Sequence, residues 1–563
     1  MTFDRHMGVW PADVSKVLNV PAQSVWQNLA DSVARFPERA ALIYHGHTIS
    51  YAELGQMVET LAGWLQARGV AKGDRVLLYM QNAPQFVIGY YAILRADAVV
   101  IPVNPMSRHA ELEHYAADTG AQVVLAGQEL LPFVTPLVQS GALNTILAAT
   151  YCDLAAPDRD IPLPDPLDTL DAADATGPGV TRWADAMAAG HSPTAHTATP
   201  DDLCVIPYSS GTTGQPKGCM HSHHTVQVTI AGGIQWNPSD ETSVGLTTLP
   251  LFHVTGMQNS MNGPLFVGGA NVILTRWNRA TTAEMIKRHR ITRWRSISTM
   301  AIDLVNDPDL DSYDLSSLEM IGGGGAAMPA AIAKRLKDIT GLDYIEGYGM
   351  SETIAATHIN PLTAPKRQCL GIPMFDVDSR VMDVESRTEM GPDEVGEIVT
   401  HAPQVFKGYW NRPKDTAEVF FEHDGKTFFR TGDLGYYDVE GYFFMVDRVK
   451  RMINASGFKV WPAEVEALMH HNPDIAEVCI IGAQDPRRGE TVKAYVVPTP
   501  AAKPRLTEQD IINWCRAEMA AYKCPKSVVF TDSLPKSGAG KVLWRELTET
   551  DAAAAGNAQR EAG

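Results

Sequence analysis

Cysteine is scarce in this chain, with seven residues in 563 and no Cys-x-x-Cys pair. An odd number at irregular spacing gives no disulfide framework, so a reducing compartment, the cytoplasm, is expected. Positive charge is also short: 47 Lys and Arg stand against 65 Asp and Glu, a net charge of −18. That balance excludes a general nucleic-acid binder, although a local basic site remains open. Long hydrophobic runs are missing as well. The most apolar stretch, Phe86 to Val103, is broken by Arg95 and Asp97, so no membrane span is expected. The N-terminal Met1-Thr-Phe-Asp-Arg-His-Met7 has no apolar core of the secretory kind.

What is present is ordinary globular material, 45% hydrophobic and 20% charged, long enough for two or more domains. Strand and helix patterns alternate over 75–126, with strands at 75–80, 99–103 and 122–126 and helices at 84–96 and 108–118. That rhythm implies βαβ units and a largely parallel sheet. Residues 153–200 are rich in Pro, Asp and Ala, lose the rhythm and read as a long surface excursion. Residues 378–446 read as a small β-rich subdomain without helices. After about 450 a new unit begins, with helices at 463–470 and 508–521 and strands at 478–481 and 492–497. The Ala-rich 551–563 reads as disordered.

Tyr208-Ser-Ser-Gly-Thr-Thr-Gly-Gln-Pro-Lys-Gly218 is the most informative stretch. Ser209, Ser210, Thr212 and Thr213 alternate with Gly211 and Gly214, and Lys217 closes the run. Glycine lets the main chain approach phosphate oxygens, while the hydroxyls and the cation complete a cradle for a polyanion. The loop follows a strand, 203–207, where open α/β sheets bind ligands. It is not a Walker A loop, because Pro216 precedes Lys217 and Gly218 follows it.

Four other segments belong with it. Ile321-Gly-Gly-Gly-Gly-Ala326 follows an expected strand and leaves a flat backbone floor. In Glu346-Gly-Tyr-Gly-Met-Ser-Glu-Thr353, Tyr348 can lie against a planar ring and Glu352 is a hard oxygen ligand suited to magnesium. A nucleophile elbow fails there, because Thr353 occupies the last glycine position. Arg430-Thr-Gly-Asp433 and Asp447-Arg448 offer a carboxylate for vicinal hydroxyls and a guanidinium for phosphate or sugar oxygens. Pro535-Lys-Ser-Gly-Ala-Gly-Lys541 ends in a protruding lysine. His221, His223 and His224 suggest a metal cluster, but no acidic or Cys ligand sits at zinc-like spacing, and they read as structural.

Together these five segments resemble the adenylate-forming superfamily of acyl-CoA synthetases, nonribosomal adenylation domains and beetle luciferases, from about residue 25 to about 547. The run Lys450 to Glu466 looks most like the fatty and related acyl-CoA ligases. The resemblance implies an α/β fold: a large N-terminal domain, 1–449, of parallel-sheet subdomains plus the β-rich one, then a smaller mobile α+β domain, 450–563. It implies attack of a carboxylate on the α-phosphate of ATP, then attack of the coenzyme A thiol on the acyl-adenylate. By motif position, residues Ser209 to Lys217 would hold the β- and γ-phosphates, Ser351 the α-phosphate, and Glu352 with Thr212 magnesium. Gly323, Gly324, Gly325, Ala326 and Tyr348 would frame the adenine, and Asp433 and Arg448 the ribose. Lys541 would bridge the attacking carboxylate and the α-phosphate. Lys450 would be a hinge that exchanges Lys541 for the turn Ser456-Gly457-Phe458, which admits the pantetheine arm.

Leu249-Pro-Leu-Phe-His253-Val-Thr-Gly256 matches the family segment that borders the acid. His253 stands where amino-acid-activating relatives carry an aspartate, which disfavours an amino-acid substrate. Val254, Gly256 and Met257 complete the expected acyl pocket, with core packing the stronger reading for the methionines. The expected function is therefore a ligase joining a fatty or other apolar acid to coenzyme A. The alternatives are an acyl-AMP ligase serving a carrier protein and an aryl-acid CoA ligase. No nucleic-acid partner is expected, and a homodimer is the family habit.

Overall fold

A computed structural model of the protein describes residues 3–209, 216–325, 327–448, 451–455, 458–485, 489–536 and 542–561. The chain divides into two compact units. The first comprises Met1–Ser379, Thr400–Phe429 and Glu440–Tyr442; the second comprises Arg380–Val399, Arg430–Val439 and Phe443–Gly563. The strand Lys426–Tyr437 begins in one and ends in the other.

Two large sheets build the first unit. Among the described residues one has seven strands, in the order His221–Ser222, Leu203–Val205, Val99–Pro102, Arg75–Tyr79, Val123–Gly127, Thr145–Ala149, Val180–Arg182. All neighbours are parallel except the first pair. The run Arg75-Val-Leu-Leu-Tyr79 is buried from Val76 onward, as expected for a parallel strand covered on both faces. The strand Val180–Arg182 corrects the reading of 153–200 as a pure excursion. Its three residues pair with Thr145–Ala149 at the sheet edge, too few to show a period.

The second sheet has nine strands among the described residues. Its parallel centre runs Tyr344–Met350, Met320–Gly324, Arg293–Ser296, Val244–Thr247, Ala270–Ile273, Ala40–Tyr44. The helix Pro84–Arg95 is buried along its whole length up to Leu94, and this explains the apolar run in the sequence: a helix apolar all round belongs in a core. The helix Tyr51–Ala67 starts at a capping box, in which Ser50 accepts from Glu53 N and the Glu53 carboxylate accepts from Ser50 N.

In the second unit, Ile475–Asp485 and Gly489–Pro498 form a long antiparallel pair, and Ser527–Phe530 lies parallel beside Gly489–Pro498. Helices Pro462–Met469 and Glu508–Glu518 bury Val465, Met469, Ile511 and Cys515 against Ile480, Val492 and Val496. The expectation of disorder over 551–563 is overturned through Glu561, because Trp544–Glu561 is helical. Alanine is the strongest helix former, and Asp551 is tied to Lys493 and to Tyr495 Oη. The β-rich stretch also contains a helix, Pro413–Val419, which buries none of its residues and so leaves no amphipathic trace. Among the described residues no helix is long and apolar enough to cross a membrane.

Candidate active site

The phosphate-loop motif is closed by a two-stranded ladder. Tyr208–Ser209 pairs antiparallel with Lys217–Gly218, and Ser209 Oγ donates to Lys217 O at 3.5 Å. Ser210, Gly211, Thr212, Thr213 and Gly214 lie outside the described residues. Lys217 Nζ is 2.7 Å from Asp415 Oδ1 and 5.3 Å from the Tyr409 ring centroid. The Tyr409 phenol in turn donates to Glu352 Oε1 at 3.0 Å. One aromatic residue thus connects the loop lysine to the candidate magnesium ligand. Burial and the Glu352 carboxylate raise the Tyr409 phenol far above its ordinary range, so it acts as a donor. Tyr409 and Asp415 escape a motif reading, because 198 residues separate Asp415 from Lys217.

Ser351 and Glu352 sit on a 3-10 turn, Ser351–Thr353, that reverses Tyr344–Met350 into the antiparallel Ala355–Ile359. Two non-glycine residues after it have positive φ, Ile354 at 48° and Ala355 at 116°, a strained turn that its surroundings must impose. Thr353 supplies the restraint. Its Oγ1 accepts from Met350 N at 3.0 Å and donates to Ala355 O at 2.7 Å. The residue that excludes a nucleophile elbow therefore pins the turn. From behind, His221 Nε2 donates to Ser351 O at 2.7 Å. Burial holds His221 down at about 4, so the ring is neutral, and the carbonyl acceptor places its proton on Nε2. His223 is likewise buried, with Nδ1 accepting from Val25 N at 3.0 Å. The contacts of His221 and His223 are structural, with the addition that His221 fixes a site residue.

Gly322, Gly323 and Gly324 lie within the strand Met320–Gly324 rather than after it. A Cβ on Gly323 would meet Ser296 O at 1.8 Å, so close approach of the neighbouring strand requires glycine there. Gly325 follows with a φ of 90°, and Ala326 lies outside the described residues. Tyr348 is half-buried, edge-on to His358 at 5.6 Å. Glu346 is buried and accepts from Met328 N and Gln368 N, both at 2.8 Å, a clamp on the segment below the glycines.

His253 is exposed and caps the short helix Val254–Gly256 through Nδ1, which accepts from Thr255 N at 3.3 Å. Val254 and Met257 are packed in the apolar core, and a Cβ on Gly256 would meet Pro250 O at 2.2 Å. A π-helical stretch, Met257–Asn262, follows, a form that recurs at functional sites.

In the second unit, Asp433 and Arg448 are directly paired in adjacent antiparallel strands. Arg448 Nε is 3.0 Å from Asp433 Oδ1; the aspartate side chain is 2% exposed and the arginine 46%. Asp433 N donates to Thr431 Oγ1 at 3.1 Å, and Arg430 forks onto Glu397 at 3.0 and 2.7 Å. Asp447 is buried and accepts from Ala463 N at 2.7 Å, at the start of the helix Pro462–Met469. Lys450, Ser456, Gly457 and Lys541 lie outside the described residues, and only the backbone of Phe458 is described, as part of the strand Phe458–Val460.

The sequence profile of the AMP-binding enzyme family matches residues 29–410, and that of the AMP-binding enzyme C-terminal domain matches residues 464–541. The chain is 33% identical over 550 residues to a long-chain-fatty-acid–CoA ligase of Bacillus subtilis, covering 96% of this chain and 97% of the relative. It is 34% identical over 527 residues to a feruloyl-CoA synthase of an Amycolatopsis species, covering 91% and 96%. ATP-bound MatB from Rhodopseudomonas palustris superposes with a TM-score of 0.82 at 27% identity, covering 94% of this chain and 99% of that one. With both profiles matched and near full-length similarity to CoA ligases, the chain belongs to the AMP-binding enzyme family and is an adenylate-forming acyl-CoA ligase.

Proposed function

We propose that this ligase activates an acid with an apolar alkyl or aryl body and works in the cytoplasm. A carboxylate oxygen attacks the α-phosphorus of ATP and pyrophosphate leaves. The coenzyme A thiol then attacks the acyl carbonyl, the thiol proton is lost, and AMP leaves. Acid and triphosphate are both anionic, so the chemistry depends on charge neutralisation and positioning. In this reading Lys217 and the loop around Ser209 hold the β- and γ-phosphates, and Ser351 meets the α-phosphate. Gly323 to Gly325 and Tyr348 frame the adenine. Asp433 accepts from the ribose hydroxyls beside Arg448, and Lys541 draws the carboxylate and α-phosphate together. Lys450 serves as the hinge, and Ser456, Gly457 and Phe458 border the pantetheine path.

The observation that carries the reading is the arrangement of Lys217, Tyr409 and Glu352, a cation and a carboxylate held on one phenol beside the loop ladder. It also fits magnesium. Glu352 gives one hard oxygen, with Thr212 as the expected second ligand. Among the described residues no group of three metal-binding side chains exists, which suits an ion held largely by phosphate and water. When bound, magnesium would neutralise phosphate charge. The seven cysteines are all unpaired, which supports a reducing compartment.

An aryl acid is the second reading, favoured by the feruloyl-CoA synthase similarity, 34% over 527 residues beside 33% over 550 for the fatty-acid ligase. Coenzyme A-dependent AMP release across alkyl, aryl and amino acids tests both. Turnover with alkyl or aryl acids and none with amino acids is expected. Pyrophosphate exchange with amino acids alone would overturn the proposal.

A further inference from the structure

Within the first unit a cleft, partly open to solvent, lies among three elements. They are the helix His223–Trp236, the π-helical stretch Met257–Asn262, and the sheet at Val244–Thr247 and Arg293–Ser296. Ile230 and Leu246 contribute apolar wall, but the strand Arg293–Ser296 brings two guanidinium groups to it. Side chains alternate along a strand, so Trp294 enters the core on the opposite face while Arg293 and Arg295 line the cleft.

The two arginines differ. Arg293 Nη2 donates to Pro238 O, and the carboxylates of Glu319 and Asp240 act on it. Among the described residues the Arg295 guanidinium makes no hydrogen bond and no ion pair. Its charged neighbour is Arg293, which repels it. Desolvation by burial pulls it down to about 10. It lies over Gly322, where a Cβ would stand 3.1 Å from Nη1.

Buried polar atoms without a partner belong to residues of the same cleft: Gln258 Nε2, Ser260 Oγ, Arg293 Nε and both amide atoms of Asn237. A buried polar group without a partner is costly, and Arg295, only partly exposed in the cleft, is a cation with no protein counter-ion among the described residues. Water can satisfy amides and hydroxyls, whereas the guanidinium calls for an anion, and its planar fork matches a carboxylate.

The cleft adjoins the expected acid site. Gln258 and Asn259 come from the segment that follows His253, and Gly322 directly precedes the glycines expected under the nucleotide. Gly322 and Gly324 are two residues apart, roughly 7 Å along a strand. Resting on the ligase reading above, we propose that this cleft is the far end of the acyl site and that the acid carries a second carboxylate, which pairs with Arg295. The chain then selects diacids, or aryl acids with a distal carboxylate, over simple fatty acids of the same size. Arg295 is the residue that determines this specificity.

The test compares kcat/KM for short and medium α,ω-diacids and carboxyphenyl acids with that for monoacids of matched carbon number, in the full-length protein with ATP and coenzyme A. The wild type should favour the diacid tenfold or more. Arg295→Met, which keeps the length and removes the charge, should lower that ratio at least tenfold, mainly through KM. A wild-type ratio near one overturns the proposal, as does an unchanged ratio in a folded variant. If Arg295→Met does not fold, Gln258→Leu takes its place: a ratio lowered severalfold supports the site and an unchanged one overturns it. Should no acid release AMP, the ligase reading falls by itself. Calorimetric titration of the diacid then decides the cleft: wild-type binding lost in the variant supports it, and no wild-type binding rejects it.

Discussion

Tyr409 touches both charges of the candidate site, and its two contacts make different demands. The ring sits under the Lys217 ammonium, while the hydroxyl donates to Glu352. Tyr409→Phe keeps the first and removes the second, and a hydrogen bond to a charged group is worth about 1.5–3 kcal/mol. We expect the magnesium concentration for half-maximal rate to shift by several-fold or more, with ATP affinity at saturating magnesium changed much less. An unchanged magnesium dependence would show that the phenol does not tune the carboxylate. Asp433 offers a parallel case in the second unit. Its side chain is 2% exposed, with Arg448 at 3.0 Å, so a buried charge awaits two ribose hydroxyls in the proposed reading. Asp433→Ala should weaken ATP binding tenfold or more. Equal ATP affinity in a folded variant, measured by calorimetry, removes Asp433 from the nucleotide site.

Among the elements, the reversal at Ser351–Thr353 depends most on backbone shape. A Cβ on Gly349 would lie 1.7 Å from Ala355 O, and Ala355 already has a φ of 116°. Gly349→Ala must push the two strands apart, at a cost of about 1–3 kcal/mol if they can yield. We expect lower stability in denaturant together with a large loss of adenylation. Gly8→Ala, where an added Cβ meets nothing within 4 Å, should leave both intact. Full adenylation by Gly349→Ala would mean that the turn geometry is not needed. Elements of this kind were legible where burial left a pattern. The strand Arg75–Tyr79 and the helix Pro84–Arg95 follow from apolar runs. The helix Pro413–Val419 buries nothing, and it lay beyond that signal together with Asp415, which it carries to Lys217. The glycines of Ile321–Ala326 were legible as a floor, but their place inside a strand depends on Ser296 and Gly347 from neighbouring strands.

At the scale of the whole molecule, the division into two units was only partly written in composition, because each is assembled from separate stretches and one strand runs through both. Acid response is a property that emerges at this scale. Burial pulls His6, His221 and His223 down to about 4 and His358 to about 3, from an ordinary 6.5. All four belong to the first unit. In the unfolded chain they take up protons as pH falls through 6.5, while in the folded chain they stay neutral until about 4 or below. The unfolded state therefore binds more protons throughout that window, and stability falls with pH by about 1.4 kcal/mol per unit for each histidine. Half-buried Glu129 and buried Glu346 are shifted upward by desolvation. They take protons sooner in the folded state and offset part of the loss, while His45, His196 and His289, also lowered by burial, add to it. The melting temperature of the first unit should drop steeply between pH 6.5 and 5, before most carboxylates titrate. His358→Gln, which removes the deepest of these shifts, should make that dependence shallower even if it lowers stability at pH 7.5. A melting temperature that stays level or rises from pH 6.5 to 5 would mean that these histidines do not govern the acid response.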